Sequence, residues 1–168
     1  MKSSLRNRIA QLGRWFGLLE NWVIASLVMF LVVFSLVQII LRNFFSTGLI
    51  WGDSLLRQMV VWVSLLGAAR AAAENKHIQI DLLPKLLPAA SARVLGIISN
   101  FFAAAVSATL LYASFTFVQN EMSSGTMAFN DVPNWWLETA FPLSFALMTI
   151  RFGVQFVDKL IADHGDLR

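Results

Sequence analysis

The chain has 168 residues, of which 57% are hydrophobic and only 14% are charged, whereas roughly a quarter of the residues in a soluble domain are charged. Cysteine is absent, and the formal net charge is only +3. The lack of cysteine excludes disulfides, thiol catalysis and cysteine-bound metal sites. The small charge predicts no nucleic-acid partner, which would require clustered positive charge. The apolar residues lie in long runs, as is typical of a protein in a lipid bilayer.

The first predicted element is an amphipathic helix over residues 1–20. Its apolar residues recur at steps of three or four, with basic residues on the other face; they are Leu5, Ile9, Leu12, Phe16 and Leu19. Such a helix lies on an anionic leaflet, so phospholipid is an expected partner. A disordered basic tail is the alternative interpretation of this short stretch.

Four apolar runs follow, each near the roughly 20 residues that a membrane-crossing helix needs. They cover residues 22–41, 54–73, 94–118 and 135–157. Because lipid offers no partner to unpaired backbone groups, these runs must be helices. The sequence therefore predicts an all-α membrane protein with four transmembrane helices in a single domain, residues 1–168. The first run is too long for a cleaved signal peptide, whose apolar core has roughly 7–15 residues.

The connection between the second and third spans, residues 74–93, is too apolar for an ordinary loop. Pro84 and Pro88 prevent a continuous helix, so we expect a short segment lying on the membrane surface and then a helix leading into the third span. His77 and Asp81 fall in this connection, four residues apart. Taken alone, the pair favours a solvated cap over a site, because two groups are too few for a metal ligand set.

The distribution of positive charge predicts the orientation in the membrane. Eleven of the thirteen Lys and Arg residues lie on one side: around the N-terminus, between the second and third spans, and at the end of the fourth. Because basic loops stay in the cytoplasm, we expect both termini on the cytoplasmic side of a bacterial inner membrane. Trp51, Trp135 and Trp136 would mark the periplasmic interface and Trp22 the cytoplasmic one, as aromatic belts do.

Charged side chains in the spans are the candidate sites, because each costs roughly 2.5–3.5 kcal/mol unless it is paired or reaches the headgroups. Arg70 and Arg151 lie near the predicted cytoplasmic ends, where their long stems can snorkel and anchor the helices. Asp53 and Arg57 share a helix face at the start of the second span. Glu138 lies at a similar depth in the fourth span, so either carboxylate could pair with Arg57. The cluster fits a structural bond between helices and a docking point for a partner equally well.

Several kinds of chemistry find no support in the sequence. His77 and His164 are the only histidines, and both lie outside the predicted spans, so the sequence predicts no haem bound within the bundle. No phosphate-binding loop, His-Glu-x-x-His motif or nucleophile elbow is present. A proton or cation pathway needs a carboxylate near mid-membrane, and no predicted span has one. We therefore expect no enzyme activity, no cofactor, no metal and no transport pathway within this chain.

A succession of short motifs between Gln38 and Phe152 resembles one known family. In chain order the motifs are Gln38-Ile39-Ile40-Leu41-Arg42-Asn43-Phe44, Trp51-Gly52-Asp53-Ser54-Leu55-Leu56-Arg57, Leu66-Gly67-Ala68-Ala69, His77-Ile78-Gln79-Ile80-Asp81, Val132-Pro133-Asn134-Trp135 and Phe141-Pro142-Leu143. Their order and spacing resemble the small membrane subunit (DctQ type) of tripartite ATP-independent periplasmic (TRAP) transporters. The sequence departs from the family pattern at Asp53, where the family usually has glutamate.

The resemblance implies a secondary transporter that takes up an organic acid with an ion gradient, usually of sodium. In such a transporter a periplasmic binding protein captures the substrate, a large membrane subunit carries it, and the small subunit is a scaffold that packs against the large one. The candidate structural or partner-docking residues are Arg42, Asp53 and Arg57, which lie in the family motifs, and Glu138, which the charge pattern adds; the cytoplasmic family motif contains His77 and Asp81.

Two other functions compete with this one. A stand-alone four-helix multidrug exporter would need an acidic residue inside the first helix, whereas Glu20 lies at the edge of the membrane, outside the apolar run. A membrane anchor of a redox enzyme is disfavoured because both histidines lie outside the spans.

Overall fold

The computed structural model describes residues 2–74, 89–129 and 132–165, and the described chain is almost entirely helical. Its helices are α1 (Lys2–Phe45), α2 (Gly52–Glu74), α3 (Ala89–Ser124), α4 (Asn134–Glu138) and α5 (Ala140–Gly165), and its strands are β1 (Met127–Phe129) and β2 (Val132–Pro133). Within this described part, four helical stretches are long and apolar enough to cross a membrane: Trp15–Phe45, Gly52–Ala73, Val94–Ser124 and Asn134–Leu160. The predicted all-α fold with four transmembrane helices is confirmed.

Helix α1 joins the predicted N-terminal helix to the first span without a break. It runs from Lys2 to Phe45, so residues 2–20 are helical and no turn separates them from the span. Their position on the leaflet stays a prediction. The expected surface-lying segment, with His77 and Asp81, falls in residues 75–88, which lie outside the described residues.

The fourth span is interrupted near its start, where the sequence predicts one continuous helix over residues 135–157. Helix α4 ends at Glu138, Thr139 forms a turn, and α5 begins at Ala140. Pro142 explains the interruption, because it has no N–H to donate to the carbonyl of Glu138 four residues earlier. The helical bonding resumes one residue later, where the Leu143 N–H donates to the Thr139 carbonyl at 3.2 Å.

A short β-hairpin joins the third and fourth spans, a feature that the sequence analysis did not predict. Gly125, with a φ of +64°, follows α3 in the left-handed conformation common after helix ends. Strands β1 and β2 then pair antiparallel, with Met127 opposite Pro133. A lipid-exposed sheet edge does not occur within the hydrocarbon region. The hairpin therefore places this end of α3 and α4 at or beyond the membrane surface.

The chain divides into two compact units, Met1–Arg70 and Ala71–Arg168. In the second unit α3 and α5 pack against each other. The ring centroids of Phe101 and Phe156 are 5.6 Å apart, and those of Phe117 and Phe141 are 6.3 Å apart. The buried polar residues of α3 recur every seven positions, at Asn100, Ser107 and Ser114. Small polar side chains let transmembrane helices approach closely. Large apolar residues remain on the outside of these helices, as expected where lipid is the solvent.

Candidate functional site

The turn between α1 and α2 is held by the amide of Gln38. Its Nε2 donates to the Leu49 carbonyl at 3.2 Å, and its Oε1 accepts from the Leu49 N–H at 3.2 Å. Gln38 is buried, with 4% of the residue exposed. Because both hydrogen-bonding groups of this buried amide bond to the backbone of Leu49, they fix the path of the chain in the turn. We name this arrangement of Gln38, Leu49 and Gly52 the turn clamp.

Gly52 belongs to the clamp because it leaves room for the Gln38 amide. A Cβ built on Gly52 would overlap that amide, so a larger residue would displace the amide from Leu49. The Gly52 N–H donates to the Leu49 carbonyl at 2.9 Å, which closes the turn at the start of α2. Gln38 and Gly52 both lie in the family motifs, but their contact was not predictable from the sequence pattern.

An exposed ion pair joins the two helices next to the clamp. Arg42 Nη2 lies 2.7 Å from Asp53 Oδ2, with side-chain exposures of 64% and 49%. Asp53 is in the first turn of α2, where the helix dipole favours a carboxylate. Arg42 and Gln38 are four residues apart, so they share a face of α1. Both therefore reach the same turn.

Arg57, for which the sequence left two acidic partners open, bonds to backbone in the first unit. Its Nε donates to the main-chain carbonyl of Asp53 at 3.4 Å, a long hydrogen bond. The Asp53 carboxylate is engaged by Arg42 instead. Glu138 belongs to the other compact unit, and a pairing of Arg57 with Glu138 stays a prediction.

Glu138 lies in a second polar cluster, formed by Glu121, Thr126, Asn134 and Glu138. The Asn134 amide nitrogen donates to Glu138 Oε1 at 2.8 Å and to Glu121 Oε1 at 3.0 Å. The Thr126 hydroxyl also donates to Glu121 Oε1. Two carboxylates thus share one amide group where the hairpin meets α3 and α4. We name this set the hairpin cluster.

The predicted interfacial anchors occupy varied environments. Trp51 stacks on Phe34 with the ring centroids 5.7 Å apart, whereas Trp22 is largely exposed. The ring centroids of Trp135 and Trp136 are 5.6 Å apart. Arg151 is partly exposed. The roles of all four tryptophans and of Arg151 at the membrane surface stay predictions.

Arg70, the other predicted anchor, approaches an acidic residue that the sequence analysis did not pair with it. Its Nη1 lies 3.9 Å from Glu20 Oε2. A Cβ built on Gly17 would lie 2.7 Å from the same nitrogen. Gly17, one turn before Glu20, therefore leaves room for the guanidinium on the surface of α1. A glycine in a helix can indicate the close approach of another group, but nothing in the sequence around Gly17 identified Arg70 as that group.

Comparison with known proteins decides the family. Residues 29–161 match the family model of the DctQ component of tripartite ATP-independent periplasmic transporters. The chain belongs to this family. The resemblance is therefore confirmed, and a multi-pass protein of the bacterial inner membrane follows from the family and the four spans.

Similar proteins carry TRAP transporter names. The sialic acid TRAP transporter permease protein SiaT of Haemophilus influenzae (strain 86-028NP) is 26% identical over 145 residues, which cover 83% of this chain and 22% of that protein. The C4-dicarboxylate TRAP transporter small permease protein DctQ of Pseudomonas aeruginosa is 28% identical over 106 residues, covering 61% of this chain and 50% of that protein. The protein of the same name from Vibrio cholerae is 21% identical over 186 residues, covering 92% and 80%. This chain thus spans at most half the length of the first two relatives.

In this TRAP small subunit the family motifs near the first two spans meet in one place. The motif around Gln38 and Arg42 ends α1, and the motif around Gly52 and Asp53 begins α2. The turn clamp and the Arg42–Asp53 pair bring the two together. Among the described residues no group of three or more His, Cys, Asp or Glu side chains could hold a metal ion. The turn clamp and the ion pair fix the end of α1 next to the start of α2.

Two further long side chains of this subunit bond to backbone carbonyls on other helices, which the sequence analysis did not predict. Gln155 Nε2 donates to the Ala72 carbonyl at 2.8 Å within the second unit, and this contact is buried. Lys159 Nζ donates to the Gly96 carbonyl at 3.3 Å. Small residues at the receiving positions let these side chains approach the backbone.

Proposed function

We propose that this chain is the small permease subunit of a TRAP-type secondary transporter that imports an organic acid by means of an ion gradient. Sodium is the coupling ion that the family resemblance implies. The subunit packs against the large membrane subunit as a scaffold and helps to dock the periplasmic binding protein. The names of the relatives refer to sialic acid and C4-dicarboxylates, which are both organic acids. The chain itself catalyses no reaction and binds no cofactor.

One observation carries the scaffold role: the motif residues that mark the family hold the backbone of a turn. Gln38 bonds to Leu49, Gly52 leaves room for Gln38, and Asp53 pairs with Arg42. Each of these contacts fixes one helix end relative to another within the first unit. A helix pair with fixed ends presents a constant surface to a neighbouring subunit, which is what a scaffold requires.

The proposed topology puts both termini in the cytoplasm. It rests on the eleven basic residues on one side of the spans and on the preference of basic loops for the cytoplasm. Phospholipid is the proposed solvent for the apolar residues that α1 leaves exposed, among them Val28, Met29, Phe30, Val32 and Val33.

The environment of Glu20 argues against an independent carrier. The side chain of Glu20 is only 10% exposed and faces the Arg70 guanidinium at 3.9 Å. A stand-alone exporter would need an acidic residue in the first helix to bind a proton or a cationic drug. A carboxylate that already faces a guanidinium is poorly suited to that task, because the cation would have to displace the arginine.

Reconstitution into liposomes tests the proposal. With an inward sodium gradient, radiolabelled sialic acid and succinate are offered to liposomes with this chain alone, with this chain and the large subunit, and with the binding protein added. We expect uptake of one organic acid only with all three components. Uptake or drug efflux by this chain alone, or failure to purify with the large subunit, would contradict the scaffold role.

A further inference from the structure

The hairpin cluster lies in the longest part of the chain that has no positive charge. Between Arg93 and Arg151 the sequence contains no lysine, arginine or histidine, but it contains Glu121, Asp131 and Glu138. Glu121 and Glu138 share the Asn134 amide nitrogen, at 3.0 and 2.8 Å. Two carboxylates held that close repel each other unless a cation or a bound proton compensates them.

Glu138 provides a second observation that points to an external positive charge. Its side chain is buried, with 8% of the residue exposed, and its Oε2 atom has no hydrogen-bond partner among the described residues. A buried carboxylate without compensation is costly, and its field is weakly screened by the apolar surroundings. That field reaches the surface next to Glu121 and draws a basic group there.

Exposed apolar side chains lie close in the chain to the partly exposed Glu121. Met127 on β1 and Trp136 on α4 are each 62% exposed, and Met122 at the end of α3 is 60% exposed. Met127 lies in a strand pair that cannot sit in hydrocarbon, so lipid tails do not account for its exposure. Methionine and tryptophan are enriched at protein–protein interfaces.

Hydrogen bonds within this chain hold the hairpin cluster without any partner. The Asn134 N–H donates to the Thr126 carbonyl at 3.0 Å and closes the base of the hairpin. The Thr126 hydroxyl and the Asn134 amide hold Glu121 Oε1. A charge that is fixed in this way loses little side-chain entropy when a partner binds.

We propose that the hairpin cluster, with Met127 and Trp136 beside it, is the surface on which a lysine- or arginine-bearing patch of the periplasmic binding protein docks. This inference rests on the proposed function and assigns its docking step to particular residues. A soluble partner fits best, because the surface lies outside the hydrocarbon region and carries only negative charge in its described part. Glu121 contacts the basic side chain, while the buried Glu138 strengthens the attraction from behind.

The test measures the affinity of the purified binding protein for the complex of this chain and the large subunit in nanodiscs. Glu121→Gln keeps the acceptor for Thr126 and Asn134 but removes the charge. We expect it to weaken binding about three- to tenfold at low salt and to flatten the salt dependence, as loss of an interface charge does. Glu121→Lys should weaken binding more than about tenfold, since it brings like charges together.

Met127→Ala should also weaken binding, whereas Met29→Ala is the matched control. Met29 is similarly exposed, at 66%, but it lies in the middle of the first span, so its loss should leave the affinity unchanged. The amount of assembled complex is measured for every variant. Unchanged affinity of both Glu121 variants overturns the inference.

Loss of assembly with the large subunit would also overturn it, by assigning the surface to that subunit instead. If the unaltered complex fails to assemble or to bind the binding protein, the proposed function itself is wrong and the inference falls with it. Normal wild-type assembly and binding with unaffected variants would remove the inference alone.

Discussion

Gln38 and Arg42 both reach the turn between α1 and α2, but they should contribute differently to the stability of the fold. The Gln38 amide is buried and bonds twice to Leu49. The Arg42–Asp53 pair is more than half exposed on average. Exposed ion pairs are worth about 0–1 kcal/mol and are screened by salt, whereas a backbone group left unsatisfied in a buried site costs about 1–3 kcal/mol. The short contact distance of the ion pair is therefore a poor guide to its importance.

We predict that Gln38→Met lowers the free energy of unfolding more than Arg42→Ala does. Methionine has a similar volume, so the change removes the two hydrogen bonds to Leu49 with little change in packing, at a cost of about 1–3 kcal/mol. Arg42→Ala should cost under about 1 kcal/mol. Thermal unfolding of the purified chain in detergent, at low and at high salt, measures both. An equal or larger loss for Arg42→Ala would show that the ion pair is the stronger bond.

At the scale of one element, α2 shows that helical glycines have different reasons to be there. Gly52 begins the helix next to the Gln38 amide, while a Cβ on Gly67 would meet nothing within 4 Å.

Helix α1 is unusual for its length. Its 44 residues extend about 66 Å at 1.5 Å per residue. That exceeds the roughly 40–45 Å of a bilayer with its headgroups, so part of the helix lies outside the bilayer or along it.

The two glycines of α2 form a matched pair for a test of the turn clamp. Gly52→Ala should destabilise the chain by about 1–3 kcal/mol, as overpacking does, because the displaced Gln38 amide would lose Leu49. Gly67→Ala should be neutral or should stabilise by up to about 1 kcal/mol through helix propensity. Thermal unfolding of the isolated chain reports both changes. Similar effects of the two substitutions would mean that the clamp does not depend on the space at Gly52.

For the whole molecule, periodicity and charge in the sequence were sufficient for the number of spans and the fold class. The contacts between helices were not accessible in the same way, because they depend on which faces meet. Two examples are the approach of Arg70 to Gly17 and the hydrogen bonds of Asn134 to Glu121 and Glu138. The residue types alone suggest neither pairing. The break at Thr139 had a visible signal, Pro142, but its effect depends on the one carbonyl that loses its donor. The roles of Asp53 and Glu138 in docking are still predictions.

The predicted topology of the whole chain can be tested because the chain lacks cysteine. We expect Ser124→Cys, at the exposed end of α3, to react with a membrane-impermeant thiol reagent in intact cells with a permeabilised outer membrane. Lys76→Cys should react only after the inner membrane is opened, because the basic connection stays in the cytoplasm. The reverse pattern of labelling would invert the orientation and remove the hairpin cluster from the periplasm.

The pair formed by α3 and α5 also bears on how the protein enters the membrane. Arg93 and Arg151 bracket a segment with no positive charge, so its translocation moves no lysine or arginine across the bilayer, and acidic residues affect orientation little. The two helices already contact each other, at Phe101 with Phe156 and at Phe117 with Phe141. We therefore expect the insertion machinery to release the two helices together as a helical hairpin. Insertion of this helix pair would then not depend on the proposed large subunit.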